Sequence, residues 1–213
     1  MTDKGLFLDT VSIALNGRVL LALTHHVLPG GVLTVMGPSG SGKSTLLAYI
    51  GGFLDPAFQA SGRVLADGVD LTVLPAEERH AGILFQDPLL FPHMSVAGNL
   101  VFAIPSHVKG KAARLARADA ALAGVGLDGM GNRDPDTLSG GQKARVALAR
   151  VLLSAPRALL LDEPFSKLDQ DLRRQMRELV FVRAREAGLP VILVTHDEAD
   201  AEAALGPVIR IGE

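Results

Sequence analysis

The stretch Gly37 to Thr45 reads Gly-Pro-Ser-Gly-Ser-Gly-Lys-Ser-Thr and fits the phosphate-loop pattern G-x-x-x-x-G-K-[ST] at every fixed position. Those residue types suit the wrapping of a polyphosphate. Gly37, Gly40 and Gly42 keep side chains out of the way and let backbone N–H groups turn inward, and the helix that follows adds partial positive charge at its N-terminus. Lys43 would reach the outer phosphates and the Ser44 hydroxyl would ligate a magnesium ion. Pro38, Ser39, Ser41 and Thr45 complete the candidate anion-binding set. Alone, the loop specifies a nucleotide and not a reaction.

A second chemistry lies downstream. Leu159-Leu-Leu161 runs into Asp162-Glu163-Pro164, which puts a pair of carboxylates at the carboxyl end of a buried strand, where open α/β sheets hold their ligands. Asp162 would hold magnesium and Glu163 would orient and deprotonate an attacking water, because phosphoryl transfer depends on positioning and charge neutralisation. The plain alternative is a strand ending in solvated acids. Leu138-Ser-Gly-Gly-Gln142 opens a helix. Its glycines expose backbone N–H groups beside the Ser139 hydroxyl, a second phosphate-binding surface that is compatible with Ser139 acting as an N-cap.

The elements that must position these groups can be read from the pattern. Leu6 to Ile13 alternates, Asn16-Gly17 is a hairpin turn and Arg18 to Leu28 returns. Gly31 to Met36 is a short apolar run before the loop, and Leu46 to Ile50 begins a packed helix. Short strands follow at Ser61 to Gly68 and Ala81 to Phe85. Helices are expected from a Ser95 N-cap to Ile104, from Lys109 to Gly124, from Gly140 to Leu153, from Asp169 to Ala187 and from Asp197 to Leu205. Apolar strands at Ala158 to Leu161, Val191 to Val194 and Val208 to Ile211 lack alternation, which suits a parallel sheet covered on both faces. The expected division is a single domain over 1–213, with 1–86 and 138–213 as an α/β core carrying an N-terminal β subdomain, and 87–137 as an inserted helical subdomain.

Composition narrows the class. With 213 residues the chain can bury a substantial core. Mean hydropathy is +0.29, yet no apolar run approaches the roughly 18 residues of a membrane helix. The sequence starts without a signal peptide, which points to a cytosolic chain with an apolar surface covered by a partner. Its lack of cysteine excludes disulfides and thiolate chemistry, and its net charge of -2 gives no basic field for nucleic acid. The basic cluster Lys109, Lys111, Arg114 and Arg117 reads as a solvated helix face.

Taken together, Leu138–Gln142 resembles the signature motif of ATP-binding cassette (ABC) ATPases, Gly37–Thr45 their Walker A and Leu159–Glu163 their Walker B. Gln86 resembles the Q-loop glutamine, Ser166-Lys-Leu-Asp169 the D-loop, and His196 in Val194-Thr-His-Asp197 the switch histidine. The resemblance runs from about residue 6 to 211. It implies an α/β P-loop ATPase with an antiparallel β subdomain, a mostly parallel core sheet and a helical subdomain. It further implies a head-to-tail homodimer enclosing ATP and Mg2+, each nucleotide held by one copy's Walker A and the other copy's Leu138, Ser139, Gly140, Gly141 and Gln142. Glu163, His196 and Gln86 would be catalytic, Ser44, Gln86 and Asp162 would hold the metal, and Ser166 and Asp169 would belong to the D-loop.

Phe85 to Val96 with Asn99, and Glu163 to Asp169 with Leu172-Arg173, are similar to bacterial importer subunits. Such a subunit sits on the cytoplasmic face of the cell membrane, has no transmembrane segment of its own, and drives an integral permease served by an external substrate-binding protein. Phe91, Pro92 and Met94 are candidates for the permease contact or for subdomain core. A soluble ABC ATPase without transport, such as an iron–sulfur assembly type, is the competing class, separated by co-purification with a membrane protein. A small-molecule kinase would leave Leu138–Gln142 and His196 unexplained. Two departures from the family stand out. Where the family stacks adenine on an aromatic residue upstream of the loop, this chain has Ile13, Ala14 and Leu15, and its only tyrosine, Tyr49, follows the loop. Lys167 replaces the small D-loop residue.

Overall fold

The computed structural model describes residues 4–38 and 40–212; Ser39 of the phosphate loop lies outside the described residues. The chain begins with β1 (Leu6–Leu15) and β2 (Arg18–Val27), paired antiparallel with Leu15 opposite Arg18. The Asn16-Gly17 link has left-handed backbone at both residues (φ 50° and 77°), the primed turn that matches strand twist. Then come β3 (Val32–Met36), α1 (Lys43–Gly51), β4 (Phe58–Ala66), β5 (Val69–Asp70) and β6 (Ala81–Leu84). β4 starts earlier than its sequence suggests, since Gln59, Ala60 and Ser61 are exposed and carry no apolar alternation. The remaining elements are α2 (Val96–Ala103), α3 (Lys111–Gly124), α4 (Gly140–Leu153), β7 (Ala158–Asp162), α5 (Gln170–Glu186), β8 (Val191–Thr195), α6 (Glu198–Ala204) and β9 (Val208–Arg210).

Two compact units result. The first runs to Ile83 and takes in Arg157–Glu163 and Phe181 onward; the second comprises Leu84–Pro156 and Pro164–Val180. In the first, an antiparallel sheet of order β2-β1-β4-β5 and a sheet of order β6-β7-β8-β3-β9 share one core. β3 pairs parallel with β8 and β9, and β7 with β8. Every residue of β3 and β8 is buried, and so are the first four of β7, as expected for strands covered on both faces. Apart from Thr34 in β3, the polar side chains of these strands thereby fall at the strand ends.

Arg79 ties this unit together. It is only 8% exposed, and its guanidinium donates to the carbonyls of Tyr49 (2.7 Å) and Ile50 (3.2 Å), in the last turn of α1, and of Leu74 (2.9 Å). Carbonyls in the last turn lack the i+4 partner of the helix interior, and Tyr49 O has besides Arg79 only a 3.3 Å bond from the cap residue Gly52, so Arg79 fixes the far end of the helix that starts at the phosphate loop.

In the second unit α2, α3 and α4 pack on Val96, Leu100, Ala118, Leu122, Val146 and Ala149. The unit thus includes α4, beyond the residues 87–137 read as helical insertion, because Val146 and Ala149 of α4 complete that apolar cluster. Ser95 caps α2 by accepting from Gly98 N at 3.1 Å, as its position suggests. Arg114 departs from the solvated-face expectation: it donates to the carbonyls of Val101, Ile104, Pro105 and Val108 at the end of α2. Lys109, Lys111 and Arg117 are exposed as expected.

Replacing Arg79 by Ala strands buried carbonyls, and the expected loss is about 2 kcal/mol or more. Urea unfolding followed by circular dichroism should show the midpoint falling in Arg79→Ala and only partly restored in Arg79→Lys; an unchanged midpoint would remove Arg79 from this role.

Candidate active site

The sheet order sets the site. Within the first unit β7, β8 and β3 are adjacent and parallel, with Asp162 opposite Val194 and Met36 opposite Thr195. Their carboxyl ends therefore deliver the phosphate loop, the Asp162-Glu163 pair and His196 to one edge of the sheet.

Gly42 is the N-cap of α1 with φ 97°, left-handed backbone that a side chain would strain. Among the described residues no side chain caps α1 and no acid sits in its first turn, so its leading N–H groups face outward for an anion. Lys43 is 6% exposed, and its ammonium donates to the carbonyls of Gly37 and Pro38, both at 2.8 Å. Lys43, anchored on the loop carbonyls, and the uncapped first turn of α1 thus form a cationic cradle.

The Ser44 hydroxyl donates to Asp162 Oδ1 at 2.9 Å. Burial pushes the Asp162 carboxyl above the ordinary carboxylate range, opposed by the Ser44 hydrogen bond, reinforced by the neighbouring Glu163 charge and opposed again by Lys43. A hydroxyl and a desolvated carboxylate side by side are hard oxygen donors of the kind a magnesium ion takes, and a dication would relieve the cost of the buried charge. Those residues fit the metal expected from the sequence.

Glu163 follows β7 with left-handed backbone, φ 46°, a conformation that costs a non-glycine residue about 1 kcal/mol. Its N–H donates to Val194 O at 2.9 Å, and its Oε1 lies 3.0 Å from His196 Nδ1. His196 in turn is framed by a buried network absent from the sequence reading. The Thr195 hydroxyl donates to Asp200 Oδ2 at 2.7 Å and accepts from Asp197 N at 3.1 Å, while Asp197 caps α6 through Ala199 N at 2.8 Å. The signal available was Thr195-x-Asp197 with Asp200 one helical turn on, a local hydroxyl and carboxylate pattern at a helix start.

Gln86, Leu138–Gln142 and Ser166–Asp169 belong to the second unit. There Gln86, Gly140 and Lys167 line one cavity of 190 Å³. Ser139 caps α4 by a reciprocal capping box: Gln142 N donates to Ser139 Oγ at 3.3 Å and Ser139 N to Gln142 Oε1 at 3.0 Å. A Cβ on Gly141 would lie 2.4 Å from the Leu172 side chain, whereas one on Gly140 would meet nothing within 4 Å. Asp169 accepts from Leu172 N at 3.0 Å, Arg173 donates to the carbonyls of Ser166 and Leu168, and Lys167 pairs with Asp87 at 2.5 Å. Asn99, fully buried, accepts from Phe91 N and donates to the carbonyls of Phe91, Met94 and Ser95, fixing the loop that carries Phe91.

A cleft of 260 Å³ opens beside the phosphate loop in the first unit, lined by Gly40, Gly42–Thr45 and Glu163 and, on apolar surface, by Leu15, Leu20 and Phe58. Tyr49 is committed elsewhere, donating its hydroxyl to Gly62 O at 2.8 Å.

Residues 20–166 match the family described as ABC transporter. The chain is 47% identical over 199 residues to the Uncharacterized ABC transporter ATP-binding protein YnjD of Escherichia coli (strain K12), covering 93% of this chain and 91% of that one. It is 43% identical to the Fe(3+) ions import ATP-binding protein FbpC of Rhizobium etli over 88% of its length, and spans about half of that relative (52%). Among solved structures, the ATP-binding cassette MJ0796, a dimer in a post-hydrolysis state bound to ADP and Pi, matches with TM-score 0.78 and 30% identity, over 97% of this chain and 94% of that one.

Asp162→Asn keeps the acceptor for Ser44 and removes the desolvated charge. The folded carboxyl titrates above its unfolded value, so at neutral pH ionisation works against folding, and that cost fades as acid protonates the group. The Asn variant should therefore unfold at an equal or higher temperature than wild type at pH 7, with the gap closing as pH falls. A lower unfolding temperature at pH 7 would contradict the assignment.

Proposed function

The chain belongs to the ABC transporter family, and on that premise we propose that it is the ATP-hydrolysing subunit of a membrane importer, in which two copies close around ATP and so move a permease. The observation that carries this is the gathering of Lys43, Ser44, Asp162, Glu163 and His196 at the carboxyl ends of β3, β7 and β8. The cradle of Lys43 and the first turn of α1 holds the triphosphate. The Glu163 carboxylate takes a proton from the water that attacks the γ-phosphorus, as the bond to the β-phosphate oxygen breaks and ADP leaves. His196 donates from Nδ1 to that carboxylate and, as the imidazolium with a proton on each ring nitrogen, donates from Nε2 to the γ-phosphate. Ser44 and Asp162 would hold a magnesium ion, which when bound would supply positive charge to neutralise the triphosphate.

The second copy completes the site with Ser139–Gln142. The capping box uses Ser139 Oγ as acceptor only, leaving its proton to donate to a phosphate, and the open space at Gly140 lets an anion approach the backbone. Ser166 and Asp169 lie in the segment that meets the partner copy. The permease contacts the second unit at an aromatic surface. Phe91 packs edge-on against Phe102 (5.1 Å) beneath the Arg150 guanidinium (5.6 Å), and Phe102 and Leu89 are 65% and 58% exposed. No helix among the described residues is long and apolar enough to cross a membrane; the protein acts as a peripheral subunit on the cytoplasmic face, and the solute is chosen by the permease and its external binding protein.

Glu163→Gln should bind ATP and hydrolyse it about 100-fold or more slowly than wild type, and should accumulate as a dimer in size-exclusion chromatography with ATP. Wild-type turnover would remove Glu163 as the base. Gly140→Ala should fold with undiminished stability, since its Cβ meets open space, yet lose hydrolysis. Full activity in that variant would mean that nothing approaches Gly140 during turnover.

A further inference from the structure

We infer that Phe58 supplies the face on which the nucleotide base rests, in an apolar slot shared with Leu15 and Leu20. This deepens the ATP-binding assignment of the phosphate loop and rests on it. β1 offers Ile13, Ala14 and Leu15 where an aromatic residue is expected. Leu15 is the cross-strand partner of Phe58 in the β1–β4 ladder, and partners in such a ladder have neighbouring side chains on one face. The ladder thus moves the missing ring from β1 to the adjacent strand.

Further observations place the ring beside the phosphate loop and hold it there. Phe58, Leu15 and Leu20 line the same 260 Å³ cleft as Gly42, Lys43 and Thr45 of the loop. Leu20 packs directly on the loop, since a Cβ built on Gly42 would lie 3.2 Å from Leu20 Cβ. Phe58 is also held in place. Its N–H donates to Asp55 O at 3.0 Å in a turn closed by Ala57 N on Asp55 Oδ1 at 2.8 Å, and its ring is half-buried against the core. Of the other aromatics that follow the loop, Tyr49 is tied to Gly62 and Phe53 does not line the cleft.

The slot reads a base by its face. Leu15, Leu20 and Phe58 present hydrocarbon, and outside the phosphate loop only the Glu163 carboxylate among the lining residues is polar, so stacking and desolvation on that hydrocarbon hold the base by its face, and such contacts tolerate any base. ATP and GTP should bind with similar affinity, both better than inorganic triphosphate.

The chain contains no tryptophan, so Phe58→Trp in the full chain makes a single reporter. With Mg2+ present, ATP should quench its emission while saturating inorganic triphosphate should not. Phe58→Ala should weaken ATP binding about tenfold, leave triphosphate binding unchanged, and be bettered by Phe58→Leu, which also serves if the Ala variant does not fold. Unchanged ATP affinity in both truncations, parallel loss of ATP and triphosphate binding, or equal quenching by both ligands would overturn the inference while leaving the phosphate loop assigned. Failure of the wild type to bind either ligand would overturn the nucleotide assignment and this inference with it.

Discussion

A carboxylate at the end of a wholly apolar strand is the constraint from which the site follows. Asp162 closes a strand whose other residues are fully buried, and burial raises the cost of its charge. The Ser44 hydroxyl and the nearby Lys43 ammonium offset that cost. Both come from the first turn of α1, so the helix must begin where it does and point where it does. The same negative charge that burdens the fold suits it to a dication, and stability is given up where chemistry requires it.

Glu163 extends the pattern. Its left-handed backbone carries strain that its hydrogen bond to Val194 and the contact with His196 hold in place. His196 is in turn set by Thr195, Asp197 and Asp200. Glu163 and His196 are therefore held by one another and by the turns after β7 and β8, which the parallel register brings side by side.

Much of this was legible in sequence because the signals are local. The phosphate loop, the apolar run before Asp162 and the start of α4 at Gly140 depend on neighbours a few residues away. Other features need the fold. Arg114 reads as part of a solvated helix face and Arg79 carries no local signal, and only tertiary placement turns them onto helix-end carbonyls. Phe58 has no motif, and it reaches the cleft because the β1–β4 register puts it opposite Leu15. The capping box at Ser139 and Gln142 was visible as Ser-x-x-Gln, but its importance lies in what it leaves open: α4 is satisfied from within while Gly140 presents bare backbone. The reach of the helical unit over α4 follows from side chains such as Val146 that join the α2–α3 cluster, which a reading by alternation of strands and helices assigns to the core.

If one copy's phosphate loop works with the other copy's Ser139 segment, two variants that are each inactive should complement one another when mixed. Lys43→Ala lacks the loop cation and Ser139→Arg blocks the signature, so each alone should hydrolyse ATP negligibly. A mixed dimer joins an intact loop from one chain to an intact signature from the other, and hydrolysis should reappear on mixing. If the mixture shows only the sum of the two separate rates, or if Ser139→Arg alone retains the wild-type rate, the two-copy reaction centre is wrong.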